Sequence, residues 1–141
     1  MSTEAIKLHF DVAGDDFTRA GEASGSVKRT MKKLGISADA IRKVAIAMYE
    51  GEINMVIHAN GGVVDVEITP EAVFMTLADQ GPGIPDIEQA MQEGFSTAPE
   101  SVRNLGFGAG MGLPNMRKYT DEMTVESEVG KGTTVRMRVN L

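Results

Sequence analysis

Glu50 and Asn54 stand four residues apart in Tyr49-Glu-Gly-Glu-Ile-Asn54, and on a helix that spacing puts both side chains on one face, about one turn apart. A pair so placed can serve one site. An amide oxygen suits a hard cation such as Mg²⁺, which keeps several waters and shares phosphate oxygens, while a nearby carboxylate can take a proton from a hydroxyl or water. Glu52, between them in sequence, projects elsewhere. Asp79 opens Asp79-Gln-Gly81-Pro-Gly83-Ile84 directly after an apolar run. Its two glycines permit tight bends and close backbone approach beside a fixed carboxylate that can accept from an adenine amino group. Gly106-Phe-Gly108-Ala-Gly110-Met-Gly112-Leu113 sets alternate glycines before a helical stretch, where backbone N–H groups and a helix N-terminus can cradle phosphates. Taken singly, each feature has a plainer reading: a polar stripe on an amphipathic helix, an acidic turn capped by Asp79, a flexible hinge. The glycine run is neither the phosphate-loop lysine pattern nor the dinucleotide fingerprint, since it follows a loop instead of a strand.

These residues must be positioned by regular elements. Ile6, Leu8, Phe10 and Val12 alternate with Lys7, His9 and Asp11, the pattern of a half-buried strand over 5–12. Asp15 and Asp16 can cap a helix running to about Leu34, with Phe17, Ala20, Ala23, Val27 and Met31 at helical spacing and Gly35 closing it. Gly21 and Gly25 weaken that helix. Ser37 is the expected N-cap of the helix carrying Glu50 and Asn54, whose apolar positions Ile41, Val44, Ala45, Met48, Ile53 and Ile57 keep a helical period until Asn60-Gly61-Gly62 stops it. Strands are predicted over 63–69 and 73–78 around Pro70-Glu71, the second delivering Asp79. From Gln80 to Gly112 the composition turns to Gly, Pro, Ser and Asn, with one short helix expected near 86–92. A helix over 113–119 and two strands, 123–128 and 133–139, flanking Val129-Gly130-Lys131-Gly132 complete the chain. Helices and strands come in groups instead of strict alternation. That order predicts an α+β fold: a two-layer α/β sandwich with a mixed, mostly antiparallel sheet and helices on one face.

Composition narrows the chemistry. A chain of 141 residues, 42% hydrophobic and 24% charged, fits one domain spanning 1–141. No apolar run approaches the roughly 20 residues of a membrane span and no signal-peptide core opens the chain, so the expected location is the cytoplasm. With no cysteine, disulfides, thiolate metal sites and cysteine nucleophiles are excluded. The net charge of -6 argues against nucleic-acid binding, which depends on clustered Lys and Arg. The ten methionines read as core filler, with an adaptable partner surface as the alternative.

In their order the motifs resemble the GHKL ATP-binding superfamily (Bergerat fold) of gyrase, heat-shock chaperones, histidine kinases and mismatch-repair proteins, with its Asn box, Asp-x-Gly-x-Gly box, glycine-rich lid and terminal Gly-Thr. Residues 46–60, 79–84, 106–113 and 130–134 carry the resemblance across most of the chain. Ala90-Met-Gln-Glu-Gly-Phe-Ser-Thr97 and the run of the lid into Leu113-Pro-Asn-Met-Arg look like the bacterial serine/threonine kinases of partner-switching systems, the anti-sigma factors and stressosome switch kinases. The extended alternation of lid glycines leans towards the switch-kinase branch. The resemblance implies Mg²⁺ on Asn54, adenine on Asp79 with Gly81 and Gly83 shaping its pocket, and phosphates under the lid glycines Gly106, Gly108, Gly110 and Gly112. It makes Glu50 the base and gives Arg103 the γ-phosphate. Thr133 matches the terminal Gly-Thr and is expected near Asp79, with Thr134 as its competitor; His58 is read as structural. The implied activity is phosphorylation by Mg-ATP of a Ser or Thr on a small anti-sigma-factor-antagonist-type protein, with a sigma factor or a protein phosphatase as the controlled partner. Exposed methionines and the resemblance are compatible with a homodimer. Two other classes stay open: an ATP-responsive binding module with little phosphoryl transfer, and a generic GHKL ATPase. The latter, taken together with a detached histidine-kinase domain, ranks last, because no helical dimerisation segment with a phosphoacceptor His is found and His9 falls on a predicted strand.

Overall fold

A computed structural model describes residues 5–13, 21–58, 61–81 and 112–141. The elements run β1 (Ile6–Ala13), α1 (Glu22–Lys33), α2 (Ala38–His58), β2 (Gly61–Ile68), β3 (Ala72–Ala78), α3 (Gly112–Lys118), β4 (Glu122–Glu128) and β5 (Gly132–Asn140). The short helix expected near 86–92 and most of the glycine-rich lid lie outside the described residues.

The strands form one sheet in the order β1-β2-β3-β5-β4, and every described pairing is antiparallel. Alternation decides which face each side chain meets. In β2, β3 and β5 the buried, alternating side chains include Val64, Val66, Ile68, Val73, Met75, Leu77, Val135, Met137 and Val139, while Asp65, Glu67, Phe74 and Arg136 point to the other side. All three described helices pack on the apolar face: Val27 and Met31 of α1, Val44 and Met48 of α2, and Leu113 and Met116 of α3 share one core with the strand residues. The opposite face is held by cross-strand ion pairs, Arg136–Glu126 at 3.1 Å and Arg138–Glu122 at 3.1 Å. His9 lies on this face too, its Nδ1 2.6 Å from Asp65 Oδ1, a hydrogen bond that raises its proton affinity, with desolvation opposing and the charges of Asp65 and Asp11 adding.

Methionine is core filler here. Met31, Met48, Met55, Met75, Met116 and Met137 are buried and Met123 is partly buried against the same core, so among the described residues the core-filler reading holds: the unbranched thioether fills the space between helices and sheet.

The ends of the helices explain their lengths. Ser37 caps α2 as expected, its Oγ accepting from Ala40 N at 3.3 Å. Gly35, at φ 73°, closes α1: its N–H donates to Lys32 O, and Ile36 N–H reaches back to Met31 O, the pattern of a left-handed helix stop. The start of α1 is a correction. It begins at Glu22 behind Gly21, which stands at φ 96° and outside helical geometry, while Asp15 and Asp16, expected as caps, lie outside the described residues. Gly21, at the N-cap position, has no side chain to cap it. The carboxylate of Glu52 does so from α2, with Oε2 accepting from Gly21 N (2.9 Å) and Ala23 N (3.2 Å) and Oε1 from Ser24 N (3.1 Å).

Candidate functional site

Glu50 and Asn54 lie on one face of α2, as their spacing requires. Glu50 is half-buried; burial pushes its carboxyl above the ordinary glutamate value, and a hydrogen bond from Asn115 of α3 opposes that shift. Asn115 Nδ2 donates to Glu50 Oε1 at 3.4 Å. Asn54 is partly exposed, and its side-chain amide makes no hydrogen bond among the described residues. Between them, Gly51 lets three elements meet: a Cβ there would stand 2.3 Å from Leu77 Cδ2 of β3 and 3.0 Å from Met116 Cε of α3. The helix that carries the acid is therefore pressed against the strand that leads to Asp79.

Asp79 follows β3 and is fixed from several sides. Its Oδ1 accepts from Gly81 N at 2.9 Å and from Thr133 N at 3.1 Å, and its own N–H donates to Thr133 O at 2.9 Å. The second oxygen, Oδ2, takes part in none of these bonds, so the carboxylate can be held by one oxygen while the other accepts from a ligand. The backbone also closes in. A Cβ on Gly62 would meet Ala78 O at 2.4 Å, and one on Gly132, at φ 136°, would meet Asp79 O at 2.1 Å, so both positions need glycine for the chain to pass Asp79 this closely. Thr133 Oγ1 is 2.8 Å from Ser127 Oγ, which sets the threonine hydroxyl beside the same turn.

Of the residues singled out from the sequence, Glu50, Asn54, Asp79, Gly81 and Thr133 belong to α2 and to the adjoining ends of β3 and β5, and Gly112 is the first residue of α3. Thr133, not Thr134, makes the described contacts with Asp79. Gly83, Arg103, Gly106, Gly108 and Gly110, and the side chain of His58, lie outside the described residues. Sequence reasoning gave no site role to Asn115 or Ser127, read Gly62 only as part of a helix stop, and did not find the capping bonds of Glu52. Helical phase did turn Glu52 away from Glu50, but its partners lie about 30 residues earlier in the chain and no local pattern names them.

The described residues thus bring together a half-buried acid, an amide one turn on with no hydrogen bond among them, and a carboxylate anchored by backbone amides at a strand end. The family model described as the histidine kinase-like ATPase domain matches residues 15–139. The chain belongs to that family. Among curated relatives, the anti-sigma F factor of Geobacillus stearothermophilus is 36% identical over 119 residues, covering 80% of this chain and 78% of the relative. That of Caldanaerobacter subterraneus subsp. tengcongensis is 40% identical over 110 residues, covering 74% and 73%. The fold is shared with a solved structure of the RsbU and RsbW domains of a Mycobacterium tuberculosis protein (TM-score 0.64, 16% identity, 95% of this chain), of which this chain spans 32%. It is also shared with the mycobacterial sensor histidine kinase MprB (TM-score 0.54, 18% identity, 96% and 97% of the two chains). No helix among the described residues is long and apolar enough to cross a membrane.

Proposed function

We propose that this chain is an ATP-dependent protein serine/threonine kinase of a partner-switching system, phosphorylating a small antagonist protein and thereby controlling a sigma factor or phosphatase partner. The observation that carries the reading is the placement of Glu50, a half-buried carboxylate with raised proton affinity, on the helix packed against the strand that ends at the anchored Asp79. Asp79 Oδ2 accepts from the adenine amino group, and Gly81 with Gly83 shapes the pocket. The amide oxygen of Asn54 fits a hard cation that brings its other ligands from phosphate and water, and among the described residues no cluster of three or more acidic or histidine side chains offers a rival metal site. Neutralising phosphate charge is what Mg²⁺ supplies there when bound. By the family resemblance, Gly106, Gly108, Gly110 and Gly112 would hold the phosphates and Arg103 would pair with the γ-phosphate.

The partner's Ser or Thr hydroxyl oxygen attacks the γ-phosphorus, the bond to the β–γ bridging oxygen breaks and leaves ADP, and Glu50 accepts the hydroxyl proton. A base with raised proton affinity suits that task, because general-base catalysis is most effective when the base titrates near the working pH. The relatives' name, anti-sigma F factor, supports sigma-factor binding, which is compatible with a second reading: an ATP-responsive anti-sigma module with little phosphoryl transfer.

Calorimetric titration with ATP and Mg²⁺, beside Asn54→Ala and Asp79→Asn, tests the nucleotide site. Wild type is expected to bind, Asn54→Ala to lose its Mg²⁺-dependent affinity, and Asp79→Asn to weaken by about tenfold or more, the loss of a hydrogen bond to a charged group. A wild type that binds nothing sinks the kinase. Binding without phosphate appearing on any candidate antagonist favours the module.

A further inference from the structure

Glu50 sits where an acid needs help. It is half-buried, and among the described residues it forms no ion pair; the side chain that donates to it is Asn115, at 3.4 Å. That distance is long for an N–H···O bond, which is commonest near 2.9–3.0 Å. Catalytic hydrogen bonds are often long in unliganded sites and tighten when substrate arrives.

Packing sets where Asn115 stands. It lies in the first turn of α3, three residues after Gly112, the final glycine of the proposed lid. Its neighbour Met116 is 1% exposed and seated at Gly51, the residue next to Glu50. Because Gly51 has no Cβ, α3 can lie close enough to α2 for the short Asn115 side chain to reach the carboxylate; a bulkier residue would hold the helices apart. The packing that seats Met116 thus also sets the Asn115–Glu50 distance.

We propose that Asn115 is a positioning residue for Glu50: its amide, carried on the helix that follows the lid glycines, orients the carboxylate. The inference rests on the kinase reading for what that carboxylate does, and on the contact alone for how it is held. An amide donor favours the charged form of a carboxylate, so it keeps Glu50 available as a proton acceptor despite its burial.

The test is the titration of Glu50 itself, followed by NMR on protein labelled at the glutamate carboxyl carbons, with the Glu50 signal assigned by its disappearance in Glu50→Gln. Asn115→Ala, which removes the donor from a helix that tolerates alanine well, is expected to move the Glu50 titration to higher pH. Asn115→Gln, which keeps an amide donor on a longer arm, is expected to return it towards wild type. A titration unmoved by Asn115→Ala overturns the proposal, and so does a Gln variant shifted as far as the Ala variant, which would assign the effect to packing. Calorimetry with Mg-ATP on the same samples keeps the two ideas apart. A wild type that binds no Mg-ATP yet shows the Asn115-dependent titration refutes the kinase and keeps the contact. One that binds Mg-ATP with no Asn115 effect does the reverse.

Discussion

Burial raises the proton affinity of Glu50 and the Asn115 amide only opposes it, so the folded chain keeps a proton on Glu50 to higher pH than the unfolded chain does. As pH climbs from the ordinary glutamate value towards the raised folded value, the unfolded state releases its proton first and the fold loses stability relative to it. Above the folded value the whole penalty is present. Glu50→Gln carries no such penalty, so its Tm is expected to exceed that of wild type at about pH 7, with the gap closing towards about pH 4 where both forms are neutral. Thermal melts at the two pH values check this; a gap of equal size at both would show that the gain comes from something other than charge. What was legible at this scale follows from range. Glu50, Asn54 and Asp79 declared themselves because one-turn spacing and a strand-ending Asp-x-Gly-x-Gly are local patterns. Asn115 did not, since it lies 65 positions from Glu50 and no local spacing ties the two.

The tie between α1 and α2 is the element-scale counterpart. A buried carboxylate from one helix accepts the first N–H groups of the other, replacing the local cap that α1 lacks. It also complements the positive end of the α1 dipole. Glu52→Ala leaves those donors buried without a partner and is expected to cost about 2–4 kcal/mol. Glu52→Gln, which keeps one acceptor oxygen, is expected to cost less. Urea unfolding midpoints order the three proteins, and an alanine variant as stable as wild type would show that water can replace the carboxylate. Strand boundaries were readable to within a residue or two because alternation in β1, β2, β3 and β5 matches the faces they present. The start of α1 was not, because a positive-φ glycine and a distant carboxylate set it where a nearby aspartate looked sufficient.

Across the molecule, α2 packs against both other described helices and four of the five strands, so a ligand held at Glu50, Asn54 and Asp79 touches the element to which most others are attached. Mg-ATP bound only by the folded state is expected to raise Tm by roughly 8 °C at a hundredfold excess over Kd. Asp79→Asn is expected to lose most of that rise. A scanning-calorimetry series over nucleotide concentration measures it, and a Tm indifferent to nucleotide in wild type would contradict binding at this site. The strand order has a further consequence, one of timing. β1 is an edge strand whose partner arrives late: Ile6 pairs with Ile68 and Ala13 with Gly61. A ribosome must deliver α1, α2 and β2 before the first strand can be covered, and until then Leu8, Phe10 and Val12 stand open on the nascent chain. Lys7, His9 and Asp11, charged or chargeable at every second position, are what such a waiting strand needs to avoid pairing with a neighbouring chain on the same polysome.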